Sequence, residues 1–230
     1  MSISSRTTAL ALAALTVLGT ASLSARADVL YSQDFETGST GLTGGYVTGS
    51  QDFSSVGFGQ QIYRTDGYGS STSADLTVNL AQAVTGVSLQ ASLAIIDSWD
   101  NGNLCCGPDS LTVKVDGQSV FTAVFDNYQN QGATQAAGLT SLSYGSNLGF
   151  SGFNDAAYRL NLNLGNLSAG THTVSFVAGG PGWQGGSDES LGVDNLQLNG
   201  VAAVPEPASV LLMVAGLGGL GLRARRQRQG

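Results

Sequence analysis

Aspartate is the residue type on which any chemistry of this chain must rest. The densest run is Asp97-Ser98-Trp99-Asp100-Asn101-Gly102-Asn103, followed a few positions later by Asp109. Carboxylates at Asp97, Asp100 and Asp109 offer hard oxygen donors, and Ca2+ gathers about six to eight of these from mixed carboxylate, carbonyl and amide sources. The spacing is not that of an EF-hand, whose donors alternate through a loop of about 12 residues. A second acidic pair stands far apart in sequence, Glu36 within Tyr31-Ser32-Gln33-Asp34-Phe35-Glu36 and Asp194 within Gly192-Val193-Asp194-Asn195-Leu196. Where the first and last strands of a domain lie side by side, these two carboxylates converge on another hard-cation site. The alternative for Asp194 and Asn195 is a strand cap that hydrogen-bonds the backbone.

Two tryptophans lie near the acids. Trp99 interrupts the Asp97–Asp100 run and Trp183 sits in Gly179-Gly180-Pro181-Gly182-Trp183-Gln184-Gly185-Gly186. A flat aromatic face stacks on the apolar face of a sugar ring, so both are candidate ligand contacts, with core filling as the other reading. For Asp188 and Glu189, beside Trp183, loop solvation is the simplest role. Cys105 and Cys106 are adjacent and are the only cysteines. In an oxidising compartment they close a strained vicinal ring, remain thiols or bridge two molecules; metal binding by two neighbouring thiolates alone is disfavoured. The sole histidine, His172, opens a strand, and no nucleophile–base set accompanies it. The chain is therefore expected not to be an enzyme. Glycoside hydrolysis, which needs only two carboxyl groups, stays as a lesser alternative.

The elements that must position these groups are strands. Apolar residues alternate with period two along Val29–Phe35, Gln51–Phe58, Asp75–Leu80, Val87–Asp97, Leu111–Val115, Ser119–Phe125, Tyr158–Leu164, His172–Val177 and Leu191–Leu198, with turn residues between them. Asp116-Gly117, which tolerates positive φ, predicts a tight hairpin between the fifth and sixth of these. Asn127–Ser146 is polar and weakly periodic and reads as a long loop. With 33 glycines, only 4 prolines and no helix-period segment between the strands, the expected fold is all-β, a two-sheet jelly-roll-like β-sandwich.

Charge separates the body from the two ends. Arg6, Arg26, Arg223, Arg225, Arg226 and Arg228 lie in the terminal segments, leaving Arg64, Lys114 and Arg159 in an otherwise acidic body. Such a body repels a polyanion, so nucleic acid is not a partner, whereas divalent cations are natural ones. At the N-terminus Arg6, the apolar run Ala9–Leu18 and Ala25-Arg26-Ala27 form a secretory signal peptide over residues 1–27, with Ala25 and Ala27 fitting a signal peptidase that cuts after Ala27. Residues 28–201 form the sandwich domain. Residues 202–230 carry Pro205-Glu206-Pro207, a hydrophobic helix over residues 210–222 and the Arg-rich end Arg223–Arg228. The prolines keep the motif extended, the apolar stretch enters the bilayer, and the arginines stay on the cytoplasmic side.

This tail resembles the PEP-CTERM sorting signal of Gram-negative bacteria. The resemblance implies recognition by an exosortase-type membrane protease, transient anchoring through the tail, and delivery to the cell surface or extracellular matrix. The opening acidic-aromatic strand and the closing Asp-Asn strand look like those of jelly-roll carbohydrate-binding modules and MAM-like adhesion domains. The Asp97–Asp100 run resembles the Asp-Trp-Asp loop of the latter. These likenesses imply a structural Ca2+ and an extracellular polysaccharide partner. The function expected is an exported glycan-binding β-sandwich stabilised by Ca2+; the alternative is a structural or adhesive matrix protein that binds other proteins.

Overall fold

The computed structural model describes residues 27–102, 106–202 and 215–217. The strands, in chain order, are β1 Asp28–Gln33, β2 Leu42–Thr43, β3 Tyr46–Gly49, β4 Gln61–Thr65, β5 Ser71–Leu80, β6 Val84–Asp97, β7 Ser110–Val115, β8 Gln118–Asp126, β9 Gly132–Ala133, β10 Leu139–Ser146, β11 Asp155–Leu167, β12 Gly170–Gly179 and β13 Glu189–Ala202. They form two antiparallel sheets stacked as a jelly-roll-like sandwich. One sheet has the order β10-β11-β6-β13-β4-β3 with β1 also on β13, and the other β2-β5-β12-β7-β8-β9.

Period-two alternation explains the main core. Leu89, Leu93 and Ile95 of β6, Leu160 of β11 and Val193 and Leu198 of β13 point inward to meet Leu76, Val113, Phe125, Val174 and Phe176 of the facing sheet. Burying each of these side chains stabilises the fold by roughly 1.5–3 kcal/mol against an exposed reference. From Ala91 to Asp97 every residue of β6 is buried, because its outward residues are covered as well. Ala94 and Ile96 join Ile62, Ala157, Phe53, Phe58 and Leu148 in a second apolar cluster on the outer face of that sheet.

The cover of that outer face corrects one expected strand. Gln51–Val56 is a 3-10 helix, entered through Gln51 at φ 51° and closed by Gly57 in the left-handed region at φ 97°. In a strand, Phe53 and Phe58 would face opposite sides, being five residues apart. The helical turn instead brings both rings onto the same cluster, edge to face with centroids 5.2 Å apart. The expected loop Asn127–Ser146 also contains strands, β9 and the edge strand β10. β10 pairs with β11 through two register shifts and keeps most side chains exposed or half-buried, so its apolar alternation is weak. The short strands β2, β3 and β4 were likewise not anticipated.

Other expectations match the structure. Asp116 at φ 50° and Gly117 at φ 81° form the two-residue turn joining β7 to β8, with Val115 opposite Gln118. First and last strands lie side by side, Asp28 opposite Gly200 and Gln33 opposite Leu196. Ala25, the Pro205–Pro207 motif, most of the 210–222 stretch and the Arg-rich end lie outside the described residues. No helix among the described residues is long and apolar enough to cross a membrane.

Candidate functional site at the acidic end of the sandwich

Strand termini carry the acids. β6 and β8 end on Asp97 and Asp126, β11 and β13 begin with Asp155 and Glu189, and Asp109 immediately precedes β7. Antiparallel pairing gathers all of them at one end, with Glu189 opposite Asp97 in register. The base present there is Arg64 of β4, whose Nε donates to Ser190 Oγ at 3.0 Å and whose guanidinium lies 5.0 Å from the Phe150 ring centroid.

Each carboxylate has its own partners. Asp155 is fully buried and bonds two backbone N–H groups, that of Asp97 at 2.9 Å and that of Leu148 at 2.6 Å, yet burial still pushes its carboxyl up to about 6. Asp97 accepts a hydrogen bond from the Ser151 hydroxyl. Asp126 accepts from Asn101 Nδ2 at 2.6 Å and from the Gln129 N–H at 2.7 Å. Asp100, Asp109 and Glu189 are different. One carboxylate oxygen from each lies within 4.8 Å of the other two, and Asp109 and Glu189 are fully buried. Asp109 Oδ2 accepts the Asp100 N–H at 2.6 Å; Glu189 Oε2 accepts the Gln184 N–H at 2.6 Å and the Gly185 N–H at 3.4 Å. With its nitrogen turned inward, the Gln184 amide bridges Glu189 Oε1 at 3.1 Å and Asp188 Oδ2 at 2.7 Å. Burial, reinforced by the neighbouring charges, holds the Asp109 and Glu189 carboxyls well above the usual range.

The acid grouping expected from sequence is thus corrected in one member. Asp97 turns to Ser151 and does not join Asp100 and Asp109, and Glu189 from β13 takes its place. Sequence proximity put Asp97 with Asp100, but the chain reverses at Asp97, which adopts φ 67°.

The tryptophans are corrected too. Trp99 is fully buried and Trp183 is 6% exposed, so neither presents a face to a ligand. They pack on each other inside the domain. Trp99 Nε1 donates to Ser190 O at 3.1 Å and Trp183 Nε1 to Gly67 O at 3.3 Å. The glycines around Trp183 permit close approach: a Cβ at Gly180 would stand 2.0 Å from Pro108 O, and one at Gly182 2.2 Å from the Cys106 carbonyl carbon. Besides Tyr68, which is 80% exposed and lies against Gly186, the exposed aromatics at this end include the pair Tyr128, 53% exposed, and Phe153, 43% exposed, with ring centroids 6.4 Å apart. They border a cleft of about 220 Å³ shared with Ser98, Asp100, Cys106, Gln184 and Asp188. Sequence reading missed Tyr128, Phe153 and Asp155, and it assigned Glu189 to loop solvation, whereas Glu189 is fully buried as the first residue of β13. The available signal for the two aromatics was their setting in polar, Gly- and Asn-rich segments with few apolar neighbours to pack on.

Glu36 and Asp194 also meet, as expected, against the segment before β4. Glu36 Oε1 accepts the N–H groups of Gln60 at 2.7 Å and Gln61 at 3.1 Å, and Asp194 Oδ2 accepts that of Gly59 at 2.8 Å. A Cβ at Gly59 would stand 2.1 Å from Glu36 Oε1 and 3.6 Å from Asp194 Oδ2, so both carboxylates press on this one glycine. Burial raises the Asp194 carboxyl, and the charges of Glu36 and Asp34 raise it further. An all-oxygen set with no ion-paired base among the described residues fits a hard cation, although backbone N–H groups already serve several of its oxygens. Cys106 is disulfide-bonded, and Cys105 lies outside the described residues. His172 binds Asp116 at the opposite end of the sandwich and has no part in either acidic site.

Fold and site define an all-β sandwich with acidic loops and a small aromatic cleft at one end. The chain carries a PEP-CTERM protein-sorting motif over residues 203–228, which marks it for export and cell-surface sorting. No curated protein sequence matches it. Among solved structures it is similar to the CBM36-1 domain of a multidomain xylanase from the hindgut metagenome of Trinervitermes trinervoides, at 14% identity and TM-score 0.35 over 78% of this chain and 100% of that one. It is similar to TmCBM27, a carbohydrate-binding module with specific mannan recognition, at 10% identity and TM-score 0.39 over 76% and 99%. A cycloisomaltooligosaccharide glucanotransferase from Paenibacillus sp. matches at 12% identity and TM-score 0.33 over 73% of this chain, which spans 18% of that enzyme.

Proposed function

We propose that the protein is an exported glycan-binding module, processed through its PEP-CTERM tail by an exosortase-type protease and held at the envelope near extracellular polysaccharide. The observation that carries this reading is the cleft itself. Tyr128 and Phe153 offer apolar faces to the C–H face of a pyranose ring, while Asp100, Asp188 and Gln184 offer hydrogen-bond partners for its hydroxyls. A Ca2+ between Glu36 and Asp194 fastens the first and last strands to the segment before β4 and supports the fold away from the cleft. A structural or adhesive role, with proteins as partners, is the second reading, favoured by the exposed edge strand β10.

The test is calorimetric titration of the full chain, in a detergent without sugar groups, with the producing organism's exopolysaccharide. Saturable binding that weakens about tenfold in Tyr128→Ala and Phe153→Ala supports the cleft, the loss matching the roughly 0.5–1.5 kcal/mol of an aromatic contact. Absence of binding by the folded protein overturns it. Release of new reducing ends would identify a glycoside hydrolase instead.

A further inference from the structure

The cluster beneath the cleft has a feature that hydrogen bonding leaves unanswered. No N–H or hydroxyl donor among the described residues reaches Asp109 Oδ1, although that oxygen is buried and its residue is fully enclosed; besides the Asp100 N–H at its other oxygen, the hydrogen bond open to this carboxyl is a proton shared with Glu189. Around it stand the carboxylates of Asp100 and Glu189, with no two of the three contributed oxygens more than 4.8 Å apart. The ion pairs of the described residues lie elsewhere, at Arg64–Asp66 and His172–Asp116. Closely spaced carboxylates without a basic partner are costly; a proton shared by Asp109 and Glu189 relieves one pair, whereas a cation at the centre relieves all three.

The geometry points to a divalent-cation site of the Ca2+ type formed by Asp100, Asp109 and Glu189, distinct from the Glu36–Asp194 position. Three oxygens no more than 4.8 Å apart share a centre at most about 2.8 Å from each, so a shift of a few tenths of an ångström brings them to the roughly 2.3–2.6 Å bonds of Ca2+, and the all-oxygen set excludes a preference for soft metals. The three residues come from the segment after β6, the segment before β7 and the first residue of β13, so one ion ties these loops together. Asp100 also borders the aromatic cleft, which places the ion directly beneath the surface assigned to sugar. Asp194 lies five residues along β13 from Glu189, about 17 Å in an extended strand, so the two sites load independently.

Terbium titration of the full chain in the same detergent tests this, since Tb3+ substitutes for Ca2+ and its emission is sensitised by nearby tryptophan. Trp99 adjoins Asp100, and Trp183 packs against Trp99 at the site. The expected result is saturable emission displaced by Ca2+. Its affinity falls by at least about tenfold in Asp109→Asn and Glu189→Gln and is unchanged in Glu36→Gln. Emission that survives both substitutions, or never appears in the folded wild-type chain, overturns the site. Should the two buried variants fail to fold, the half-buried Asp100→Asn decides: unchanged affinity overturns the assignment. Loss confined to Glu36→Gln sinks this site while leaving the Ca2+ of the proposed function standing.

Discussion

Trp99 meets Trp183 edge to face, ring centroids 5.0 Å apart and planes at 82°. The contact joins the loop that follows β6 to the loop that precedes β13, and Phe125 closes on Trp99 from the other side at 5.5 Å. Truncating Trp99 to Ala therefore opens a large cavity under the acidic loops and should destabilise the protein by about 3–5 kcal/mol. Trp99→Phe keeps a ring but strands the Ser190 carbonyl, which costs about 1–3 kcal/mol. Urea unfolding followed by far-UV circular dichroism measures both. A Trp99→Phe protein that unfolds like wild type but loses glycan affinity would falsify the buried role.

How far the acidic end was legible follows from where its residues sit along the chain. The β7–β8 hairpin was readable because Asp116-Gly117 encodes its own backbone geometry, and the β1–β13 pairing because the first and last strands of a jelly roll commonly lie side by side. The partner of Asp109 was not readable. Glu189 lies 80 positions away, and only sheet pairing carries it to the site. Trp183 misled for a related reason: a tryptophan among glycines has no local core, but those glycines let another loop approach and Trp99 supplies the missing wall. Local patterns reveal strands and turns, whereas the membership of a loop-built site depends on contacts between segments with no shared periodicity.

Gly59 and Glu36 should behave as one unit. Adding a methyl group at Gly59 displaces the Glu36 carboxylate, which then loses the N–H groups of Gln60 and Gln61. Gly59→Ala and Glu36→Gln are each expected to cost about 1–3 kcal/mol, the worth of hydrogen bonds to a charged acceptor. Because both remove the same interaction, the double variant should cost little more than either single one. Additive losses in a denaturant double-mutant cycle would show that the two residues act separately.

The hairpin end carries a pH-dependent contact. His172 Nδ1 lies 2.7 Å from Asp116 Oδ2, and this bond, with Ser168 O at Nε2, raises the histidine above its ordinary value. The same bond, with the Thr173 N–H, lowers Asp116. A raised histidine stabilises fully below its unfolded value and loses that contribution as pH climbs through its folded value. A lowered aspartate stabilises above its unfolded value and loses it as pH falls through its folded one. The pair therefore contributes most between about pH 4 and 6.5. With Asp116 half-exposed, screening limits the effect to under about 1 kcal/mol. Asp116→Asn keeps a side chain that accepts positive φ, so its stability deficit should be largest near pH 5.5 and shrink by pH 9. A deficit constant across that range would mean that the turn, and not the ion pair, is what the substitution disturbs.

The tail can be tested apart from the sandwich. Proline has no backbone N–H and fixes φ near about −65°, so the composition of Pro205-Glu206-Pro207 disfavours a helix. Alanine at all three positions restores a helix-forming sequence next to the apolar stretch, while residues 28–202, with both apolar clusters, are untouched. Export should continue, because residues 1–27, whose sequence reads as a signal peptide, are unchanged, and processing should stop, leaving a heavier form in the membrane fraction. Mass spectrometry of the envelope protein reads both. A triple-alanine chain released at the wild-type mass would remove the motif from the processing step and leave the Arg-rich end as the remaining determinant to vary.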